Sequence, residues 1–235
     1  MEPDKLTCRG KPLELDEYGI PIGGHRKRNR SMTIVLDEDK RNPPSRVKDH
    51  PQWSGEPKPW GEPKYPGKGS CHNSIERHYL YRKGLQHGGN VVNLGVFRGV
   101  STHSLAHGVK DAGGGKVYAV DFFKGAAFTV KEITDIFEEQ KMLSYVQFCE
   151  GHTQDWAKKL SDMRFNFIFI DADHQYESAK RDFETWSPLL APGGELAFHD
   201  VALNTVHKVI TEELLDWTLV EHVWNIKTFR RTEEK

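Results

Sequence analysis

The sequence has no apolar run approaching the roughly 18 residues of a membrane span, and its opening, MEPDKLTCRG, lacks the apolar centre of a secretory signal. No charge dominates either. Its 33 Lys and Arg stand against 34 Asp and Glu, for a net charge of -1, so no global field draws the chain to nucleic acid or acidic lipid. Cysteine is scarce: Cys8, Cys71 and Cys149 share no metal-type spacing and form an odd set. That pattern reads as free thiols in a reduced, cytoplasmic protein. There is no internal repeat.

What is present is unevenly spread. Ten of the twelve prolines lie before residue 67, and long apolar runs are missing there. Residues 41–70 are Pro, Gly and charge punctuated by Trp53, Trp60 and Tyr65, with neither helical nor strand period. Such a segment cannot bury enough surface to fold alone. Two readings stand: a disordered arm, or an extended strap whose aromatics anchor on the domain or on a second copy, making a homo-oligomer. SMTIVLDED, residues 31–39, has the pattern of a lone strand. The division expected is a Pro-rich N-terminal arm over 1–72 and a folded domain over 73–235.

From residue 73 strands and helices alternate. NSIERHYLYRKGLQ predicts a helix capped by Asn73 or Ser74. Short apolar runs follow at NVVNLGVF, KVYAVDFF, YVQFCEG, FNFIFID and ELAFHD, separated by helical segments, and LVEHVWNIKTFRRTE predicts a terminal hairpin. Tyr176, Phe183, Trp186 and Leu190 fall near one helical face, with Gly193 and Gly194 expected to close that helix. Continuous apolar strands alternating with helices make an α/β, doubly wound, mostly parallel sheet, here with a C-terminal antiparallel hairpin.

In such a sheet ligands bind outside the carboxyl ends of the strands, so those ends carry the functional reading. Gly95 and Gly99, in NLGVFRGVS, sit at the first turn, where glycine lets backbone approach a ligand or lets a helix pack. Their spacing is not the Gly-x-Gly-x-x-Gly of dinucleotide sites. The second strand ends at Asp121, placed to accept both hydroxyls of a ribose or to cap a helix. The third ends in EGHTQDW, the fourth in DADH, the fifth in FHD.

Residues 88–202 resemble a class I S-adenosylmethionine-dependent methyltransferase, and more narrowly the metal-dependent O-methyltransferases of the macrocin and caffeoyl-CoA/catechol groups. VVNLGVFRGVSTHSLA resembles the glycine-rich motif, which implies that Gly95, Gly99 and Ser101 contact the methionine end of the cofactor. VYAVDFF implies Asp121 on the ribose, and GHTQDW implies Thr153 and Gln154 near adenine. FIFIDADHQYE with LAPGGELAFHD is similar to the metal-and-base segment. Asn93 stands where the family usually has an acid, and His199 where an acid often precedes the second Asp. The resemblance implies a Rossmann-like methyltransferase fold and a small-molecule acceptor.

The residues support this chemistry independently. Neighbouring strands lie about 5 Å apart, so Asp171 and Asp200 converge and repel unless a cation sits between them or one is protonated. Oxygen ligands favour Mg²⁺, or Mn²⁺ if an imidazole joins, and His199 either ligates or points into the sheet. His174, three residues after Asp171, is the candidate general base, being neutral enough near pH 7 to accept a proton; its alternative is a loop hydrogen bond to Asp173 or Asp200. Asp173 either orients His174 or caps the next helix. DAD alone also fits a metal-dependent glycosyltransferase, and the two departures from the family permit a non-catalytic binding module. The acceptor pocket is expected from the arm, residues 122–130 and the 201–205 loop, for a sugar or other polyhydroxylated molecule, or a phenol.

Overall fold

The computed structural model describes residues 7–8, 11–12, 72–124 and 128–232. The possible strand at 31–39 and the Pro-rich 41–70 segment lie outside the described residues. Thr7–Cys8 pairs antiparallel with Lys11–Pro12, in a small unit separate from the one that carries the sheet.

That sheet has seven strands: β1 (Gly89–Leu94), β2 (Gly115–Asp121), β3 (Val146–Glu150), β4 (Phe165–Ile170), β5 (Leu190–Phe198), β6 (Trp217–Val223) and β7 (Ile226–Arg231). Their order is β3-β2-β1-β4-β5-β7-β6. The first five run parallel and the last two form the expected antiparallel hairpin. Helices α1 (Ser74–His87), α2 (Val100–Asp111), α3 (Val130–Glu139), α4 (Thr153–Lys159), α5 (Tyr176–Trp186) and α6 (Asn204–Glu213) alternate with them. The central strands are mostly apolar because both faces are covered: Val91, Val92, Leu94, Phe167, Ile168, Phe169, Leu196 and Ala197 are fully buried.

Helix α1 starts where its sequence says. Asn73 Oδ1 accepts the backbone N–H groups of Ile75 and Glu76, and Glu76 Oε2 accepts that of Asn73, closing a capping box. The helix lies antiparallel to the strands, its start at their carboxyl ends and its last turn against β4, where the His87 ring stacks on Phe167. It is pinned through charge: Lys83 Nζ lies 2.8 Å from Glu195 on β5 and 3.2 Å from Glu221 on β6.

One expected boundary is corrected. Helix α5 ends at Trp186 and gives way to a 3-10 turn, Ser187–Leu189, because Pro188 has no N–H to continue the α-helical ladder and its ring crowds the preceding turn. Leu190, Gly193 and Gly194 therefore do not close the helix; they belong to β5.

Candidate active site

The ladder runs one residue past several strands. Gly95 N–H donates to Val120 O (2.9 Å), Gly151 N–H to Asp121 O (2.9 Å), Asp171 N–H to Leu94 O (2.9 Å) and His199 N–H to Ile170 O (3.0 Å). In-register pairing thus brings five predicted strand ends to one rim.

On its first half the rim is a glycine turn. Gly95 (φ +86°) and Gly99 (φ +78°) both adopt backbone that L side chains avoid. A Cβ on Gly95 would lie 2.1 Å from Asp171 O, and one on Gly99 would lie 2.6 Å from Ile133 Cδ1. Both glycines therefore serve close packing within the protein, the second of the two uses the sequence left open. Asp121 ties the turn down: Oδ2 accepts from Val96 N (2.7 Å) and Phe97 N (2.9 Å), Oδ1 from Phe123 N (2.9 Å). Asn93 donates through Nδ2 to Gly95 O, Ser101 Oγ and Thr102 Oγ1. Because Gly95 O can only accept, the amide orientation is fixed, and it leaves Oδ1 buried with no hydrogen-bond partner. Thr153 and Gln154 open α4 and both donate to Asp182 Oδ1 of α5, Gln154 at 2.8 Å. Asp182 is 2% exposed, and its burial raises its pKa to about 6.

The second half is a cluster of acids and imidazoles. His174 Nε2 lies 3.0 Å from Asp200 Oδ2 and 3.4 Å from Asp171 Oδ1. His199 points into the site, not into the sheet: Nδ1 is 3.2 Å from Asp171 Oδ1 and 3.7 Å from Asp200 Oδ1. That nitrogen is buried yet out of line for a hydrogen bond. Asp200 sits in left-handed backbone (φ +53°), tolerated by Asp better than by most residues, and its Oδ1 accepts from Asn225 Nδ2 at 2.7 Å.

Three carboxylates meet these imidazoles, and each proton follows the charge. Burial alone pushes Asp171 up, but the charge of His199 and the close imidazoles of His174, His199 and His72 outweigh it and hold the group well below the ordinary range. Burial pushes His199 down, and Asp171 and Glu76 overcome this, raising it well above its usual value. His174 is raised in the same way: burial opposes, while Asp171 and Asp200 prevail.

Sequence reasoning missed three participants. His72 Nε2 lies 3.2 Å from Asp171 Oδ2, Glu76 Oε1 lies 3.1 Å from His199 Nε2, and Asp182 holds Thr153 and Gln154. Glu76 had a legible signal as the capping-box acid of α1; the other two had none. Asp173 stays out of the cluster. It is exposed, its Oδ1 accepts from Gln175 N–H (3.2 Å), and the N-cap of α5 is Gln175. A glycosyltransferase reading built on both acids of DAD is therefore not favoured. Of the expected acceptor-pocket segments, the arm up to residue 71 (save 7–8 and 11–12) and residues 125–127 lie outside the described residues. A cleft at the opposite end of the sheet, lined by Pro192, Gly193, Leu215 and Arg230 among others, contains none of the clustered acids and histidines.

Comparison with known proteins agrees with this fold. Residues 92–201 match the family described as a methyltransferase domain. The fold is shared with the O-methyltransferase of Bacillus cereus in complex with S-adenosylhomocysteine, at 19% identity and a TM-score of 0.55, over 69% of this chain and 83% of that one. It is shared with the O-methyltransferase TomG of Streptomyces achromogenes in complex with S-adenosylmethionine, at 15% identity and TM-score 0.57, over 86% and 93%. CalS11, a TDP-rhamnose 3'-O-methyltransferase, matches at 18% identity and TM-score 0.53, over 66% and 77%. Residues 92–201 are thus similar to a methyltransferase domain, and the sheet has the fold of S-adenosylmethionine-dependent O-methyltransferases.

Proposed function

We propose that the chain methylates a hydroxyl of a small polyhydroxylated acceptor, a sugar in preference to a phenol, with a divalent cation, Mg²⁺ or Mn²⁺, held at the rim. The carrying observation is the convergence of Asp171, His174 and Asp200, whose ligand atoms lie within 4.8 Å of one another, beside the glycine turn. The residues fit both absent groups. Asp171, Asp200 and the unaligned Nδ1 of His199 form a donor set for a cation. The unpartnered Oδ1 of Asn93 is an acceptor for the ammonium of S-adenosylmethionine, and Asp121 carries lone pairs for ribose hydroxyls beyond those its backbone partners use.

S-adenosylmethionine supplies a sulfonium methyl, and a divalent cation lowers the pKa of a neighbouring hydroxyl. The chain supplies the rest. Asp121 and Asn93 orient the cofactor on a rigid turn, which removes orientational entropy from the reaction. His174 takes the acceptor's proton at Nε2, and Asp200, 3.0 Å away, stabilises the imidazolium that results. CalS11 acts on a sugar nucleotide, which supports the acceptor class. A reduced, cytoplasmic setting suits Cys149, which is free and buried.

The test is calorimetric titration of S-adenosylmethionine, then transfer of a labelled methyl to nucleotide sugars and to catechols, with and without added Mg²⁺ or Mn²⁺. Cofactor binding that survives chelation and turnover that does not is the expected pair. Undiminished turnover in excess EDTA would remove the cation from the reaction, and transfer to catechols alone would replace the sugar.

A further inference from the structure

The cation site has a second buried imidazole that lies outside the set just described. His72, immediately before the N-cap of α1, is 6% exposed, and its ring stands 4.7 Å from that of His199. We propose that His72, Asp171 and His199 form the primary ligand set, and that the centre takes a borderline first-row transition ion, of the Mn²⁺, Co²⁺ or Zn²⁺ kind, in preference to Mg²⁺. The inference rests on the reading that a cation sits at this rim.

Geometry comes first. The three ligand atoms lie within 4.8 Å of one another. Both imidazole nitrogens approach the Asp171 carboxylate to 3.2 Å, His72 at Oδ2 and His199 at Oδ1. Ligands about 2.1 Å from a shared ion stand roughly 3.0–3.4 Å apart in octahedral or tetrahedral arrangements, so the spacing already matches an ion's coordination edge.

Orientation comes second. The other nitrogen of His199, Nε2, faces Glu76 Oε1 at 3.1 Å, the carboxylate–histidine arrangement that fixes a ring and raises its basicity toward a metal. Glu76 is itself fixed, since its second oxygen accepts the Asn73 backbone N–H at 3.0 Å. The helix cap therefore sets the ring that faces the site.

Selectivity follows from the donors. Mg²⁺ demands oxygen ligands in near-ideal octahedral geometry and keeps several waters. Two buried imidazoles on one carboxylate offer neither, whereas imidazole nitrogen suits later first-row ions. Bound there, the ion links the entry of α1 to the ends of β4 and β5.

Chelator-stripped protein titrated with Co²⁺ and with Mg²⁺, followed by the visible Co²⁺ spectrum and by calorimetry, tests this. The parent should bind Co²⁺ at least about 100-fold more tightly than Mg²⁺. His72→Ala should lower Co²⁺ affinity by more than the roughly 10–100-fold typical of an outer partner and change the spectrum, while S-adenosylmethionine affinity stays within twofold. His72→Gln, which keeps the side chain's bulk, should behave likewise and guards against a folding defect. An unchanged Co²⁺ spectrum and affinity in both variants would overturn the inference, as would equal parent affinities for Mg²⁺ and Co²⁺. Tight, His72-dependent Co²⁺ binding in a protein that transfers no methyl group would support it while removing the proposed reaction.

Discussion

Helix α1 carries a buried ion cluster at each end, and the two are neutralised by different means. Toward its last turn, Glu195 (0% exposed) and Glu221 meet Lys83 (1% exposed), Arg82, Arg230 and His87. Burial pushes the Glu195 carboxyl up, but His87 and Lys83 outweigh it and bring it down to about 2. At its first turn, the imidazoles of His72, His174 and His199 gather against Glu76, Asp171 and Asp200. Lys and Arg hold their charge permanently, so the first cluster is a clamp. Imidazole gives up its proton far more readily than Lys or Arg, so on the proposed reading the second exchanges protons for a metal ion. What distinguishes structure from chemistry here is the permanence of the cation, not the burial of the anion.

The largest expected effect tests the exchangeable end. His174→Ala should lower turnover by roughly 10²–10⁴, the range for a lost general base, with S-adenosylmethionine affinity and thermal stability nearly unchanged. Activity within a few-fold of the parent would make its contact with Asp200 purely electrostatic and erase half of the contrast.

The clamp should fail in the opposite way. Lys83→Met leaves Glu195 without its nearest fixed cation and should cost about 3–5 kcal/mol of stability, as breaking a buried pair does. Denaturant titration gives the number. Metal stoichiometry of the folded fraction should not change. A stable Lys83→Met protein with a damaged metal site would mean that the two ends of α1 are not separable.

The contrast was only half legible in the sequence. FIFI followed by Asp171, and ELAF followed by His199 and Asp200, could be read as buried strands emptying into a crevice, because a parallel strand has one period and one direction. Neighbouring strand ends could then be placed together without coordinates, and the hairpin and the Asn73 cap were equally local. His72 was invisible. It has no periodic context, and it reaches Asp171 only because α1 runs antiparallel across the sheet, a fact of tertiary packing. Glu76 was readable as a cap, but what its second oxygen meets lies 123 residues away. Asp182 sits on α5 between Arg181 and Phe183, where a polar residue looks solvated; only the packing of α4 on α5 buries it. The Gly193–Gly194 pair misled because glycine marks strand irregularity as readily as a helix stop.

Asp182 sharpens the comparison as a buried acid whose hydrogen-bond partners are neutral. Its carboxyl rises to about 6, with burial the leading cause, where Glu195 falls to about 2. Between the ordinary value of 3.8 and about 6, the folded state holds a proton that the unfolded state has lost. Stability therefore falls as pH rises through that window, by about 3 kcal/mol in total. Asp182→Asn keeps an acceptor for Thr153 and Gln154 and removes the titration. Relative to the parent, the variant should gain about 2.4 kcal/mol between pH 4 and pH 7.5, whatever fixed cost its buried amide adds. Parallel stability–pH curves for the two proteins would show that this carboxylate is solvated in solution.

The smallest effect probes how the cap and the exchangeable cluster share Glu76. Asn73→Ala removes the side chain that accepts the Ile75 and Glu76 backbone N–H groups, both at 2.9 Å. The loss of an Asn cap costs about 1 kcal/mol, which corresponds to roughly 2–4 °C in Tm for a chain of this size. The reciprocal half of the box survives, because Glu76 Oε2 accepts from the residue 73 backbone, and alanine keeps that N–H. Glu76 should therefore still face His199, and metal affinity should move by no more than about threefold, below the roughly 10–100-fold cost of losing such a partner outright. Calorimetric metal titration beside a melting curve separates the two quantities. A metal loss as large as that of an absent carboxylate would mean that the Asn73 side chain, and not the backbone it caps, orients the charged end of the helix.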